Sequence, residues 1–211
     1  MTLLDNLRRH CLPLRAETVH ESVSEHFAAW FGPDDGEPFR ESFIDICCIP
    51  PSEQRPYRVL HTNGMASRPL KTRPGQEALA ELMMLLPAED AYCGGDAGWA
   101  VRELRRFAHM FHDMSTGVSE FLTLPLSEPA PGTPFHSLMT VRPLFLPPAF
   151  HQIDLARGQS VHLFALMPLH MVEVKYMTAV PEPSALWDLA QAQHRDPLEL
   201  CTADIRRLPV A

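Results

Sequence analysis

Proline placement limits this chain more than any other feature. There are 21 prolines among 211 residues, about twice the usual share, and they run from end to end without forming a tract. Pro50-Pro51, Pro56, Pro69, Pro74, Pro87 and Pro147-Pro148 stand at the edges of apolar segments. Proline lacks an N–H and fixes φ, so this pattern allows many short elements and few long ones. The 45% hydrophobic and 21% charged residues form a globular balance that excludes collagen-like, coiled-coil and fully disordered chains. The length fits a single domain over 1–211.

Periodicity supplies the elements. Val19, Val23, Phe27 and Trp30 follow Thr18 and Glu21, a capping-box spacing, and predict a helix over 18–30. Phe43 to Ile49 is β-branched and aromatic and stops at Pro50-Pro51; Tyr57 to Thr62 reads as its antiparallel partner, ended by Asn63-Gly64. Composition favours helix for Ala78 to Leu86, although a short apolar run between breakers also permits a buried strand. Asp96 can cap a helix over 98–114, whose apolar face is Ala100, Leu104, Phe107, Ala108, Phe111 and Met114. Strand-like runs follow at 137–146 and 160–167, and Ser184 can cap a final helix. Without a repeated strand–helix unit the order predicts an α+β fold, a mostly antiparallel or mixed sheet with helices packed against it.

Charge and cysteine content narrow the partners. The net charge is −8, and residues 76–211 hold 16 acids against 9 bases. Basic residues occur as scattered pairs such as Arg105-Arg106, so a nucleic acid is not the expected partner, and neither is an anionic membrane. An acidic surplus suits a basic protein partner, and it also serves solubility. No apolar run has the length of a membrane span. The segment MTLLDNLRRHCLPL carries an acid and two arginines where a signal peptide needs its apolar stretch. The expectation is a soluble cytoplasmic protein with reduced thiols at Cys11, Cys47, Cys48, Cys93 and Cys201.

Motifs for phosphate, dinucleotide, serine-hydrolase and zinc-protease chemistry are absent. His109 and His112 lie three residues apart on a helix and could share an ion, with Asp113 adding an oxygen. Against this, Leu104, Phe107 and Phe111 define the buried face, so His109 should point to solvent, and Arg102, Arg105 and Arg106 would repel a cation. Cys93, before the strongest helix, could be an activated thiol; a plain loop cysteine beside Gly94-Gly95 is the simpler reading. Asp45, between Ile44 and Ile46, is the solvent side of ordinary strand alternation or an acid with a specific partner.

Several blocks together resemble a known family. Phe43 to Pro51, Arg55 to Met65, and Ala80 to Pro87 look like consecutive blocks of the suppressor of fused domain of bacterial type. Trp99 opening a helix, and Leu166 to His170 followed by Glu173, Lys175 and Tyr176, are similar to later blocks. The resemblance covers about 18–195, with departures at Ala66 and His170. It implies an α+β fold in which 81–86 is a strand, and no established catalytic residues; no metal or cofactor is expected. Animal members hold zinc-finger transcription factors inactive, a role tied to a second domain for which this chain looks too short. Bacterial relatives resemble immunity proteins that neutralise toxins.

The expected function is therefore a non-enzymatic protein-binding module that occludes its partner, a basic toxin in the immunity reading. Asp45, Tyr57 and Glu81 are the candidate contact residues, as polar or amphipathic positions within the family-like strands. A small hydrolase using Cys93, or a metal at His109 and His112, is the alternative.

Overall fold

The computed structural model describes residues 16–211 apart from Gly36, Glu41, 74–75, 90–97, 114–116 and 129–131. Its organising element is the strand β4 (Gln76–Pro87), flanked by β2 (Tyr57–Asn63) and β8 (Ser160–His170). Ala80, Leu82, Met84 and Leu86 point into one core layer, and Leu79, Met83 and Leu85 into the other. A strand buried on both faces has no reason to alternate apolar with polar residues. That is why a composition of Ala, Leu and Met suggested helix for a segment that is strand.

The sheet order is β1-β2-β4-β8-β6-β5, where β1 is Asp45–Ile49, β5 Thr123–Pro125 and β6 Phe135–Val141. β3 (Leu70–Arg73) also pairs with β4, and β7 (Gln152–Asp154) with β8. The β4–β8 pair is parallel and the rest are antiparallel, so the sheet is mixed. Helices cover both faces. α1 (Ala16–Phe31) buries Val19, Val23 and Phe27 on one side, joined by Leu186 and Trp187 of α4 (Ala185–Ala192) and Leu200 of α5 (Pro197–Cys201). α2 (Trp99–Asp113) buries Leu104, Phe107 and Phe111 on the other.

The first helix begins at Ala16, so Thr18 lies inside it and is not its cap. The expected cap Asp96 lies outside the described residues. β6 ends at Val141, before Arg142-Pro143, short of the expected 146. β8 instead runs on to His170 through Pro168. Proline is tolerated there because the β4 pairing ends at Ala165, leaving β6 as the neighbouring strand. Ser184 precedes α4, but its hydroxyl bonds Asp188 and no helix N–H, and α5 follows. α3 (Met171–Ala179) was not foreseen; its β-branched residues show no apolar stripe.

The two ends of the main strand order differ: one is covered and the other is short. On the outer side of β1, Phe39 and Ile46 exchange two backbone bonds, and Asp35 N–H donates to Cys48 O at 2.7 Å. β5, at the far end, has three residues and finishes in Pro125, whose carbonyl accepts from Arg106. Covering one edge and shortening the other are the usual protections against unwanted pairing.

Candidate functional site

The turn after β2 sets up the most distinctive chemistry. Gly64 has φ +117°, and a Cβ there would lie 2.4 Å from Phe43 O and 2.5 Å from His20 Cε1, so glycine is required. Glu81 secures this turn from below. Its carboxylate accepts from Gly64 N–H (3.1 Å), Ala66 N–H (2.9 Å) and the Thr62 hydroxyl. Burial pushes the Glu81 carboxyl up, against the pull of these three donors.

Register then places Cys47 of β1 directly opposite His61 of β2. Both side chains face α1, where the His61 ring stacks on Phe27 at 3.9 Å and 6°. Asp34, in the loop after α1, brings Oδ1 to 3.1 Å from His61 Nε2. The ligating atoms of Asp34, Cys47 and His61 all lie within 4.8 Å of one another. Burial pushes the Cys47 thiol well above its ordinary range, and the negative charges of Asp34 and Asp45 add to the effect. Cys48 turns to the opposite face, where its sulfur accepts from Arg58 at 3.3 Å.

Asp34 and Cys47 line an open groove of about 400 Å³ between α1 and β1–β2, with His61 fully buried behind them. Among the described residues, Glu21 and Glu25 of α1, with Asp34 and Asp45, give the groove four carboxylates against the one guanidinium of Arg40. Arg40 pairs loosely with Asp45 at 3.6 Å; among the described residues Glu21 and Glu25 have no ion pair. Asn63, also lining the groove, donates to His20 O and Ser24 Oγ, and its buried Oδ1 has no partner among the described residues.

Two other clefts have their charges satisfied internally. One of about 540 Å³ contains the Glu120–Arg142 pair at 2.9 Å and His151, whose Nε2 meets two backbone carbonyls. The other, about 420 Å³, holds Tyr57 beside Glu89, Asp196, Glu199 and Asp204; Asp204 meets Arg206 in three side-chain hydrogen bonds, Glu199 pairs with Arg195, Glu89 lies 3.9 Å from Arg206, and Asp196 accepts from the Leu198 N–H.

The candidate residues thus separate. Asp45 is on the acidic groove, with its side chain 21% exposed. Tyr57 stands at the other end of β2, six residues from Asn63, the partner of Asp45, or roughly 20 Å away at strand rise. Glu81 is 0% exposed, and its expected place on a contact surface gives way to an internal one, holding the turn. Cys93 lies outside the described residues. His109 does not point freely to solvent. Its Nε2 bonds Ser42 Oγ at 2.9 Å, and its ring and that of His112 both pack edge-on against Phe43. Arg68 covers the same Phe43 ring at 3.7 Å, a cation beside the two histidines, and burial followed by the Arg68 charge lowers the His112 pKa.

Sequence reasoning missed the Asp34–Cys47–His61 group because its members converge only through strand register and a loop. The signal was there in part. Residues 43–49 and 57–62 were paired from sequence, and a histidine in that apolar strand needed a polar neighbour. The long connection between them left the register open.

These features define an α+β protein with a two-faced mixed sheet, a covered β1 edge and an acidic groove beside its first helix. The family model for suppressor of fused protein (SUFU) matches residues 40–201, most of the chain, and the chain belongs to that family. Solved structures agree on the fold. A SUFU homologue from Neisseria gonorrhoeae superposes with a TM-score of 0.65 at 14% identity, covering 92% of this chain and 97% of that one. A chain of the Sufu–Fu complex gives 0.61 at 13% identity, covering 94% and 93%. Drosophila Suppressor of Fused gives 0.59 at 12% identity; 94% of this chain is covered but only 51% of that one. No curated protein sequence matches the chain. No described helix is long and apolar enough to cross a membrane.

Proposed function

We propose that this protein is a non-enzymatic interaction module that occludes a basic protein partner, acting in the cytoplasm as an immunity protein acts on its toxin. The acidic groove carries the reading. Among the described residues it holds four carboxylates against one guanidinium, and two of the carboxylates have no ion pair. Lysine or arginine side chains of a partner would supply the missing positive charge. A solved neighbour of the same fold is itself part of a protein–protein complex. With β1 covered and β5 only three residues long, recognition by side chains in a groove is better supported than strand addition.

The hydrolase alternative has less support. In a thiol relay one imidazole nitrogen faces the nucleophile and the other its orienting acid. Of the alternative's own residues, Cys93 lies outside the described ones, and His109 and His112 pack against Phe43 beside the Arg68 guanidinium, which disfavours a cation. At the described thiol Cys47, His61 Nδ1 meets the Thr62 carbonyl and Nε2 meets Asp34, so neither nitrogen is committed to a relay. The test is co-expression with a basic toxin encoded beside this gene. Rescue of growth is expected, and the double reversal Glu21→Lys/Glu25→Lys should abolish it while leaving the fold intact by circular dichroism. Rescue unaffected by the reversal would reject the groove, and a neighbourhood without a toxin that this protein neutralises would reject immunity.

A further inference from the structure

We propose that Asp34, Cys47 and His61 form a binding site for a zinc-class transition-metal ion. Three observations converge, independently of the partner reading. First, one carboxylate oxygen, one thiol sulfur and one imidazole nitrogen come within 4.8 Å of each other from a loop and two adjacent strands. One ion at about 2.0–2.3 Å from each could be reached with small side-chain adjustments. Second, both nitrogens of the buried His61 ring lie 3.1 Å from oxygen acceptors, Thr62 O and Asp34 Oδ1. A neutral imidazole has a single N–H. If Nδ1–H donates to the Thr62 carbonyl, Nε2 and Asp34 oppose each other as two acceptors, and a cation between them removes the conflict. The backbone bond at Nδ1 and the Phe27 stack are the supports that orient a metal-ligating histidine. Third, the approach is open and of the right sign. The Asp34 side chain is 31% exposed, and it and Cys47 line a groove of four carboxylates and one guanidinium.

The donor set selects the metal. A thiol and an imidazole disfavour magnesium and calcium, which take oxygen ligands, and suit zinc or cobalt. Three protein ligands leave the fourth tetrahedral position facing the groove, for water or a partner's donor. Binding would displace the Cys47 proton to solvent and form a thiolate–metal bond, with no change of oxidation state.

The test is titration of the chelator-treated, reduced full chain with Co²⁺, followed by its absorption. The expected result is a saturable near-ultraviolet thiolate-to-cobalt band with visible bands of tetrahedral intensity, both displaced by Zn²⁺. Cys47→Ser should remove the thiolate band, and Cys201→Ser should leave it. Asp34→Asn, at an exposed loop position, should weaken cobalt affinity at least about tenfold without unfolding the chain; it keeps the proposal testable if Cys47→Ser does not fold. An absent thiolate band, or one that persists in folded Cys47→Ser or is unmoved by Asp34→Asn, would overturn the site.

Discussion

Glu81 shows how a single buried acid can look like a binding residue in sequence and act as a fastener in the fold. It lies in an apolar strand, and sequence gives no way to tell an acid facing water from one facing backbone donors. The three groups bonded to it, the N–H of Gly64 and Ala66 and the Thr62 hydroxyl, are themselves buried. Truncation to alanine strands the two N–H groups at about 1–3 kcal/mol each, while the Thr62 hydroxyl keeps the Leu82 backbone as its partner. Glu81→Ala should therefore lose at least about 2 kcal/mol in urea denaturation, and Glu81→Gln, which keeps an acceptor for the N–H pair, should lose much less. The pH dependence has a definite sign. The folded carboxyl is pushed above its ordinary value, so its contribution is complete below the unfolded pKa and declines as pH rises through the folded pKa. The cost of Glu81→Gln should accordingly shrink between pH 5 and pH 8. A cost that grows over that range would mean that the hydrogen bonds, and not burial, control this carboxyl.

At the scale of elements, legibility followed the number of buried faces. α1 and α2 each bury one stripe, and their periodicity placed them within a few residues of their observed limits. β4, buried on both faces, carried no period, and only the family resemblance identified it as strand. α3 was invisible because tertiary bonds define it. Glu173 accepts from the N–H of His170 at 2.7 Å, closing the first turn, and from Arg207 at 2.8 and 2.9 Å. Arg207 also donates to Pro168 O, and Val210 N–H donates to Glu173. One fully buried ion pair thus ties the C-terminal segment to the β8–α3 junction. Burial alone would raise the Glu173 carboxyl, but the Arg207 hydrogen bonds and charge bring it below its ordinary value. Its contribution is therefore present above the unfolded carboxylate pKa and is lost as pH falls through the folded one, below about pH 4. Arg207→Met leaves a buried carboxylate unpaired and should cost about 3–5 kcal/mol. The pair variant Glu173→Gln/Arg207→Met should recover part of that and show a shallower acid limb in urea midpoints measured from pH 6 to pH 3. An unchanged acid limb would assign the acid sensitivity to other groups.

For the whole molecule, the count of charges along the chain does not locate the groove that leaves carboxylates without an ion pair among the described residues. Counting by residue put the surplus after position 75, yet the groove that concentrates carboxylates is built from Glu21, Glu25, Asp34 and Asp45. Acids late in the chain are partly spent on each other's neighbours, as in Arg195–Glu199 and Asp204–Arg206. Folding thus decides which charges remain available to steer a partner, and composition cannot. Because the groove is open and charges more than about 8–10 Å apart are screened at physiological salt, the proposed attraction has a kinetic signature. With a basic partner, the association rate should fall at least about tenfold between low and physiological salt, while dissociation changes little. Glu21→Lys/Glu25→Lys should lower the low-salt rate and flatten this dependence. Charge reversal in the Tyr57 cleft, at Glu89 and Glu199, where Arg206 and Arg195 already lie beside the carboxylates, should have a smaller effect. Equal effects from the two reversals would show that the partner senses only the total charge of the molecule, and the groove would lose its claim as the docking site.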